Sequence, residues 1–418
     1  MDALTSTLPA ESAESMGPAP VRPPGSGRAR GSVPGSGTAP ASVFALPVVT
    51  ELRLSAFASH RGAAFPLGSP VTLFAGPSGS GKSSALRAYE ALARLGSGAE
   101  LGEAFPDPAG CVPERAKADA QGRRGFRIGC TVQGPAGSVR LDLAVQAEPE
   151  LRIVGERLTA DGRILLSTAL RDPGRSCVQA AWHTAGSVAV TRAPLPDDRL
   201  GTAMLPLRVS GRTDGERAVL AAVEQVVVAL RSVFACDPQP QSMRAPVLPG
   251  EGRLRRGCDN LAAVLHRTRS ECVRRHARLT AAARAGCAGP VSEVGVEELA
   301  DGTLRAVIDR AAGSVATPLA RLGDGELRYL ALALVLLTGP GVLAVDQVAE
   351  VPGALQCLTV LADGFDRGLD RRQVAELASV AASVCADGHL RLVGSVSDRD
   401  GGAFARETDG VTVVDLVP

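Results

Sequence analysis

Between Gly76 and Ser84 the chain runs Gly76-Pro77-Ser78-Gly79-Ser80-Gly81-Lys82-Ser83-Ser84, a G-x-x-x-x-G-K-[ST] pattern. Glycines at these positions let backbone N–H groups converge on phosphate oxygens with no Cβ in the way. An ammonium at Lys82 would reach the β- and γ-phosphates of a nucleoside triphosphate, and the Ser83 hydroxyl would ligate Mg²⁺. Only two lysines occur in the chain, Lys82 and Lys117; every other basic side chain apart from histidine is Arg. A slim ammonium kept at this point suits a phosphate cradle that a planar guanidinium enters poorly. The competing reading is a chance Gly/Ser-rich turn in a chain with 47 glycines.

A phosphate loop needs a strand before it and a helix after it, so that the helix dipole adds to the amides. Residues 71–75 are an apolar run that reads as a buried strand, and 84–95 follow a helical pattern. Upstream, 49–54 alternate as a half-exposed strand. Downstream, 126–132, 139–145 and 151–158 alternate as a meander of antiparallel strands, with two shorter ones near 164–168 and 177–182. The period then lengthens. Residues 216–234 and 260–284 read as helices of a lobe inserted into an α/β domain. The basic stretch Arg274-Arg275-His276-Ala277-Arg278 fits a solvated face better than a nucleic-acid contact.

Strands return as a hairpin, 292–299 and 304–308, about an Asp301-Gly302 turn. Leu322-Gly323-Asp324-Gly325-Glu326-Leu327-Arg328 leads into 330–337, apolar all round and therefore a buried helix. Val342-Leu343-Ala344-Val345 reads as a buried parallel strand with Asp346 at its tip. Helices are expected at about 353–363 and 371–386, and strands at 390–393 and 411–416.

Composition narrows the classes. Net charge is +1, which leaves no global field for polyanions, and aromatics are 3%, too few for a base-stacking platform. Nine Cys without C-x-x-C pairs read as small buried hydrophobes of a reducing cytoplasm. The longest apolar run, 329–337, is too short to cross a bilayer. High Ala, Arg, Gly and Pro usage suggests a high-GC bacterial genome. Residues 1–45 read as a Pro/Gly/Ser/Ala-rich disordered tail, with Arg22, Arg28 and Arg30 as the only hint of a binding arm. The division expected is therefore tail 1–45, N-terminal half 46–210, helical lobe 211–288 and C-terminal half 289–418.

Phosphate loop, helical insertion, L-x-x-G-E-x-R before a buried helix, and four apolar residues ending in Asp come in a fixed order. In these motifs the chain resembles ABC-class ATPase heads of the RecF/SMC type, especially stand-alone bacterial AAA-type ATP-binding proteins without a coiled coil. The resemblance covers about residues 48–416. It implies an α/β P-loop NTPase fold with a mixed central sheet, an antiparallel β subdomain and the inserted lobe. It also implies that ATP is sandwiched between two heads, with Gly323, Gly325 and Glu326 of the signature meeting the nucleotide of the other copy. Asp346 would hold Mg²⁺ opposite Ser83.

Three departures from the family pattern weaken hydrolysis. Gln347 stands where the water-activating Glu is usual, and an amide positions water but takes no proton. Gly323 replaces the signature Ser, and Val396 the switch His. Glu350 or Asp398 could substitute as base; Gln133 and Gln146 are the candidates for the glutamine that follows the first half. The function expected is an ATP-binding cytoplasmic head with slow or partner-dependent hydrolysis, dimerising on ATP and signalling to an unknown protein partner. The alternatives are a DNA-linked ATPase of repair or phage defence, and a P-loop kinase or structural module.

Overall fold

The protein is described here from a computed structural model covering residues 46–184, 189–250, 252–310, 315–397 and 401–417. The expected tail over 1–45 and the candidate base Asp398 lie outside these residues. From the N-terminus, strands β1 (Val48–Phe57), β2 (His60–Pro66) and β3 (Val71–Ala75) lead into helix α1 (Lys82–Gly96) and a short α2 (Leu101–Ala104). Strands β4 (Arg124–Gly134), β5 (Gly137–Glu148), β6 (Arg152–Ala160), β7 (Arg163–Ala169), β8 (Cys177–His183) and β9 (Val190–Pro196) follow. Next come α3 (Gly201–Met204), α4 (Asp214–Arg231), β10 (Val233–Cys236), α5 (Pro240–Met243), α6 (Leu261–Glu271) and α7 (Val273–Gly286). The last third holds β11 (Glu293–Glu298), β12 (Leu304–Asp309), β13 (Thr317–Pro318), α8 (Asp324–Leu337), β14 (Leu358–Ala362), α9 (Arg371–Cys385), β15 (Leu390–Ser395), α10 (Gly401–Glu407) and β16 (Val411–Asp415).

The expected mixed central sheet resolves into separate sheets. Five strands form a wholly parallel sheet in the order β10-β14-β15-β3-β16, and eight form an antiparallel sheet in the order β2-β1-β4-β5-β6-β7-β8-β9. The meander read from the alternation is β4 to β6, and the hairpin is β11 with β12. The three central parallel strands, β14, β15 and β3, are buried on both faces, which is why they spell largely apolar runs. Phe74, Leu361, Val393 and Leu416 pack to one side with α1, α4 and the antiparallel sheet. Val71, Leu73, Val360 and Leu392 pack to the other with α6, α8 and α9. Six of the nine Cys are buried.

Three expectations fail in this region. The helix expected to reach 234 ends at Arg231, because Val233–Cys236 is drawn into the parallel sheet as an edge strand beside β14. The lobe expected over 211–288 is thereby split. Helix α4 belongs to the core under the antiparallel sheet, while α6 and α7 belong to the core on the far face. The second long helix is also two, broken at Cys272, whose φ of −150° and ψ of 91° are extended.

Candidate nucleotide-binding site

The parallel register fixes which chain ends meet. Ala362 lies beside Gly394, and Gly394 beside Leu73, so β14, β15 and β3 finish at one edge. Ligands of open α/β sheets bind outside that carboxyl edge. A cleft of about 970 Å³ opens there, walled by Ser59, 76–79, 81–84, Asp363, Gly364, 366–368 and 395–397.

The phosphate loop is built around close backbone approach. Gly81 caps α1 at φ 92°, and a Cβ on it would stand 2.4 Å from His60 Nε2. A Cβ on Gly76 would stand 2.4 Å from the Leu416 carbonyl oxygen. Neither position tolerates a side chain. The β1–β2 turn therefore presses on the loop, with His60 Nε2 3.1 Å from the Gly81 carbonyl. Lys82 Nζ donates to the Gly76 carbonyl and, at 2.9 Å, to that of Pro77. Ser80 Oγ is buried without a hydrogen-bond partner.

The acid opposite the loop is Asp363, directly after β14. Its Oδ1 accepts from Ser83 Oγ at 3.0 Å and from Ser395 Oγ at 2.6 Å, while Ser395 Oγ accepts from the Gly364 N–H at 2.8 Å. Asp346, the expected metal ligand, does not reach the phosphate loop. Asp346 instead pairs with Arg231 at 3.1 Å, and Arg231 Nε donates to its carbonyl at 2.9 Å. Arg231 ends α4 just before β10, at the opposite, amino-terminal edge of the parallel sheet. Residues 342–345 form no strand of that sheet; Leu343 makes only an isolated bridge to Leu254. Gln347 and the exposed Glu350 follow Asp346 and line no part of the cleft. The residue after the aspartate that meets Ser83 is Gly364, not Gln347. Among the described residues the carboxylates on the cleft wall are Asp363 and Asp366, and Asp366 Oδ2 is held by the Ser397 N–H at 2.9 Å and by the Ser397 hydroxyl.

The signature residues sit behind this wall rather than in it. Glu326 braces the start of α8, accepting from the Ala288 N–H at 2.8 Å and the Gly323 N–H at 3.3 Å. A Cβ on Gly325 would stand 2.2 Å from the Gly368 carbonyl oxygen. Gly323 is exposed at the helix N-terminus and is not part of the cleft wall. Val396 is buried in the wall and donates its N–H to Phe74. Gln133 is exposed on β4, and Gln146 donates to the Glu150 carbonyl at the end of β5; both are ordinary strand residues remote from the cleft.

The groups implied by such a site are a nucleoside triphosphate and Mg²⁺. The donor set fits them. Two parts of the chain, the loop and the end of β14, supply a glycine cradle, one ammonium and a hydroxyl–carboxylate pair of hard oxygen ligands. Asp363 and the contribution of the β1–β2 turn were not found by sequence reasoning. The run 358–362 followed by Asp carried the signal for the first, and His60 offered none.

No protein-family model matches the sequence, and no curated protein matches it. Among solved structures, an Smc head bound to the C-winged-helix domain of ScpA aligns over 88% of this chain and 97% of its own, at 14% identity and TM-score 0.48. An SMC head domain from Thermotoga maritima aligns over 89% and 99%, at 13% identity and TM-score 0.42. An Smc head domain with an extended coiled coil, bound to the C-terminal domain of ScpA from Pyrococcus furiosus, aligns over 88% and 95%, at 11% identity and TM-score 0.44.

Proposed function

We propose that this chain is an ABC-type, RecF/SMC-like P-loop ATPase head that binds Mg-ATP tightly, hydrolyses it slowly, and uses the bound triphosphate to engage a second copy. The observation that carries the reading is the meeting of Ser83 and Asp363 at the phosphate loop, with Gly364 as the next residue. Gly76 to Ser84 would cradle the phosphates, Lys82 leaving its carbonyl contacts for the β- and γ-phosphates. Ser83 and Asp363 would hold the metal ion, which neutralises charge on the phosphate oxygens when bound. Gly364 offers no group to take a proton from water, so proton removal falls to water itself or to a carboxylate further along the wall, and turnover is slow. Gly323 and Asp324 leave the start of α8 exposed outside the cleft, which supports a second copy as the partner of that surface.

The test is calorimetric titration of the whole chain with Mg-ATP, paired with its size in solution with and without nucleotide. We expect micromolar binding, turnover far below ~1 s⁻¹, a doubling of mass with Mg-ATP, and loss of all three behaviours in Lys82→Ala. Binding without any change of mass would remove the dimer from the proposal, and no binding at all would remove the whole of it.

A further inference from the structure

We propose that Arg367 is a nucleotide-contacting residue that takes the terminal phosphate of the triphosphate in this cleft; the proposal rests on reading the cleft as a nucleotide site. It starts at Gly364. This residue follows Asp363 at φ 64°, a conformation that disfavours a side chain. The space a side chain would need is already taken. Arg367 Nε lies 2.8 Å, Nη2 3.0 Å and Cζ 3.1 Å from the point where a Cβ on Gly364 would stand. The guanidinium therefore covers the backbone beside the metal-binding acid. A cation thus fills the space that a side chain at this position would enter.

The position is fixed by the backbone. The Arg367 N–H donates to the Gly364 carbonyl at 2.9 Å, closing a tight turn over 364–367. That turn is pinned to the neighbouring strand end by Phe365 N–H to the Ser395 carbonyl at 2.8 Å and by Asp366 on Ser397. The side chain, in contrast, is not committed. It is 56% exposed and lines the same cleft as Lys82, Ser83 and Asp363. Its carboxylate neighbour is Asp237, at 3.8 Å from Nη1. Asp237 Oδ1 makes no hydrogen bond and is shared with the buried Arg328 at 3.7 Å, so Asp237 keeps a counter-charge if Arg367 leaves.

A guanidinium is suited to this use, since its fork matches two phosphate oxygens at once. Its station beside Asp363 decides which phosphate. Ser83 and Asp363 would hold a metal ion that neutralises the phosphate end of the nucleotide, so a cation on that flank would meet the end of the triphosphate rather than the nucleoside. The consequence is discrimination: Arg367 adds affinity for ATP that ADP does not receive.

The experiment is titration of the full chain with Mg-ATP and separately with Mg-ADP, for wild type, Arg367→Gln and Arg367→Lys, with far-UV circular dichroism to establish that each is folded. Arg367→Gln is expected to weaken Mg-ATP binding on the order of tenfold and to leave Mg-ADP within about twofold. Arg367→Lys is expected to fall between, keeping charge but not the fork. Equal loss for both nucleotides, or no loss for either, overturns the proposal while the cleft reading stands. Wild type that binds neither nucleotide overturns both.

Discussion

Two aspartates, both following apolar residues, differ only in where the chain carries them. Asp363 ends at the carboxyl edge of the parallel sheet within hydrogen-bonding distance of Ser83, and Asp346 is fastened to Arg231 at the amino edge. Their substitutions should therefore separate cleanly. Asp363→Asn removes the charge that would balance a divalent ion, and we expect the Mg²⁺-dependent gain in ATP affinity to fall by about tenfold or more. Asp346→Asn should leave nucleotide binding unchanged and lower stability by at most about 1 kcal/mol, as for a partly exposed ion pair. Titrations with Mg²⁺ and with a chelator read the first effect; urea unfolding reads the second. The reverse ranking would restore residues 342–346 as the metal-binding strand.

Helix α8 meets the cleft wall through a backbone contact, since Gly325 packs on the Gly368 carbonyl with no room for a Cβ. Gly325→Val should push the helix start away from that turn and cost about 1–3 kcal/mol, as overpacking does, read as a lowered urea midpoint at unchanged slope. The phosphate-loop strand, the meander, the hairpin and this buried helix were all legible, because each declares its period or its turn. Strand β14 was not. Residues 358–362 are buried on both faces, and an apolar run without period is the same for a buried strand and a buried helix. The β-branched pair Thr359-Val360 was the available discriminator. The segment 342–345 gave the opposite error, an apolar run before Asp that packs in the core without joining the sheet. The break at Cys272 has neither Gly nor Pro to announce it, so one helix was read for two. Of the site, the loop and Lys82 were readable from local spelling. Asp363, Gly364 and His60 depend on long-range register, which no local window contains.

Both cores share the parallel sheet, one on each face, so neither can unfold without exposing the other's floor. We expect thermal unfolding to be a single transition. The one tryptophan, Trp182, is buried in β8 of the antiparallel sheet and outside the cleft wall, which makes it a remote reporter. Mg-ATP at about 100 times its Kd should stabilise the fold by roughly 2.7 kcal/mol, and the Trp182 fluorescence transition should move up together with the circular dichroism signal. Two separated transitions, only one of them moved by nucleotide, would show that the halves melt independently. The same sheet has a bearing on birth at the ribosome. Strand β3 is translated early, yet both of its neighbours, β15 and β16, belong to the last part of the described chain. A nascent polypeptide thus carries an apolar, unpaired strand and a slack glycine loop through most of its synthesis, and gains the grip on its ligand only as the final strands slot in on either side.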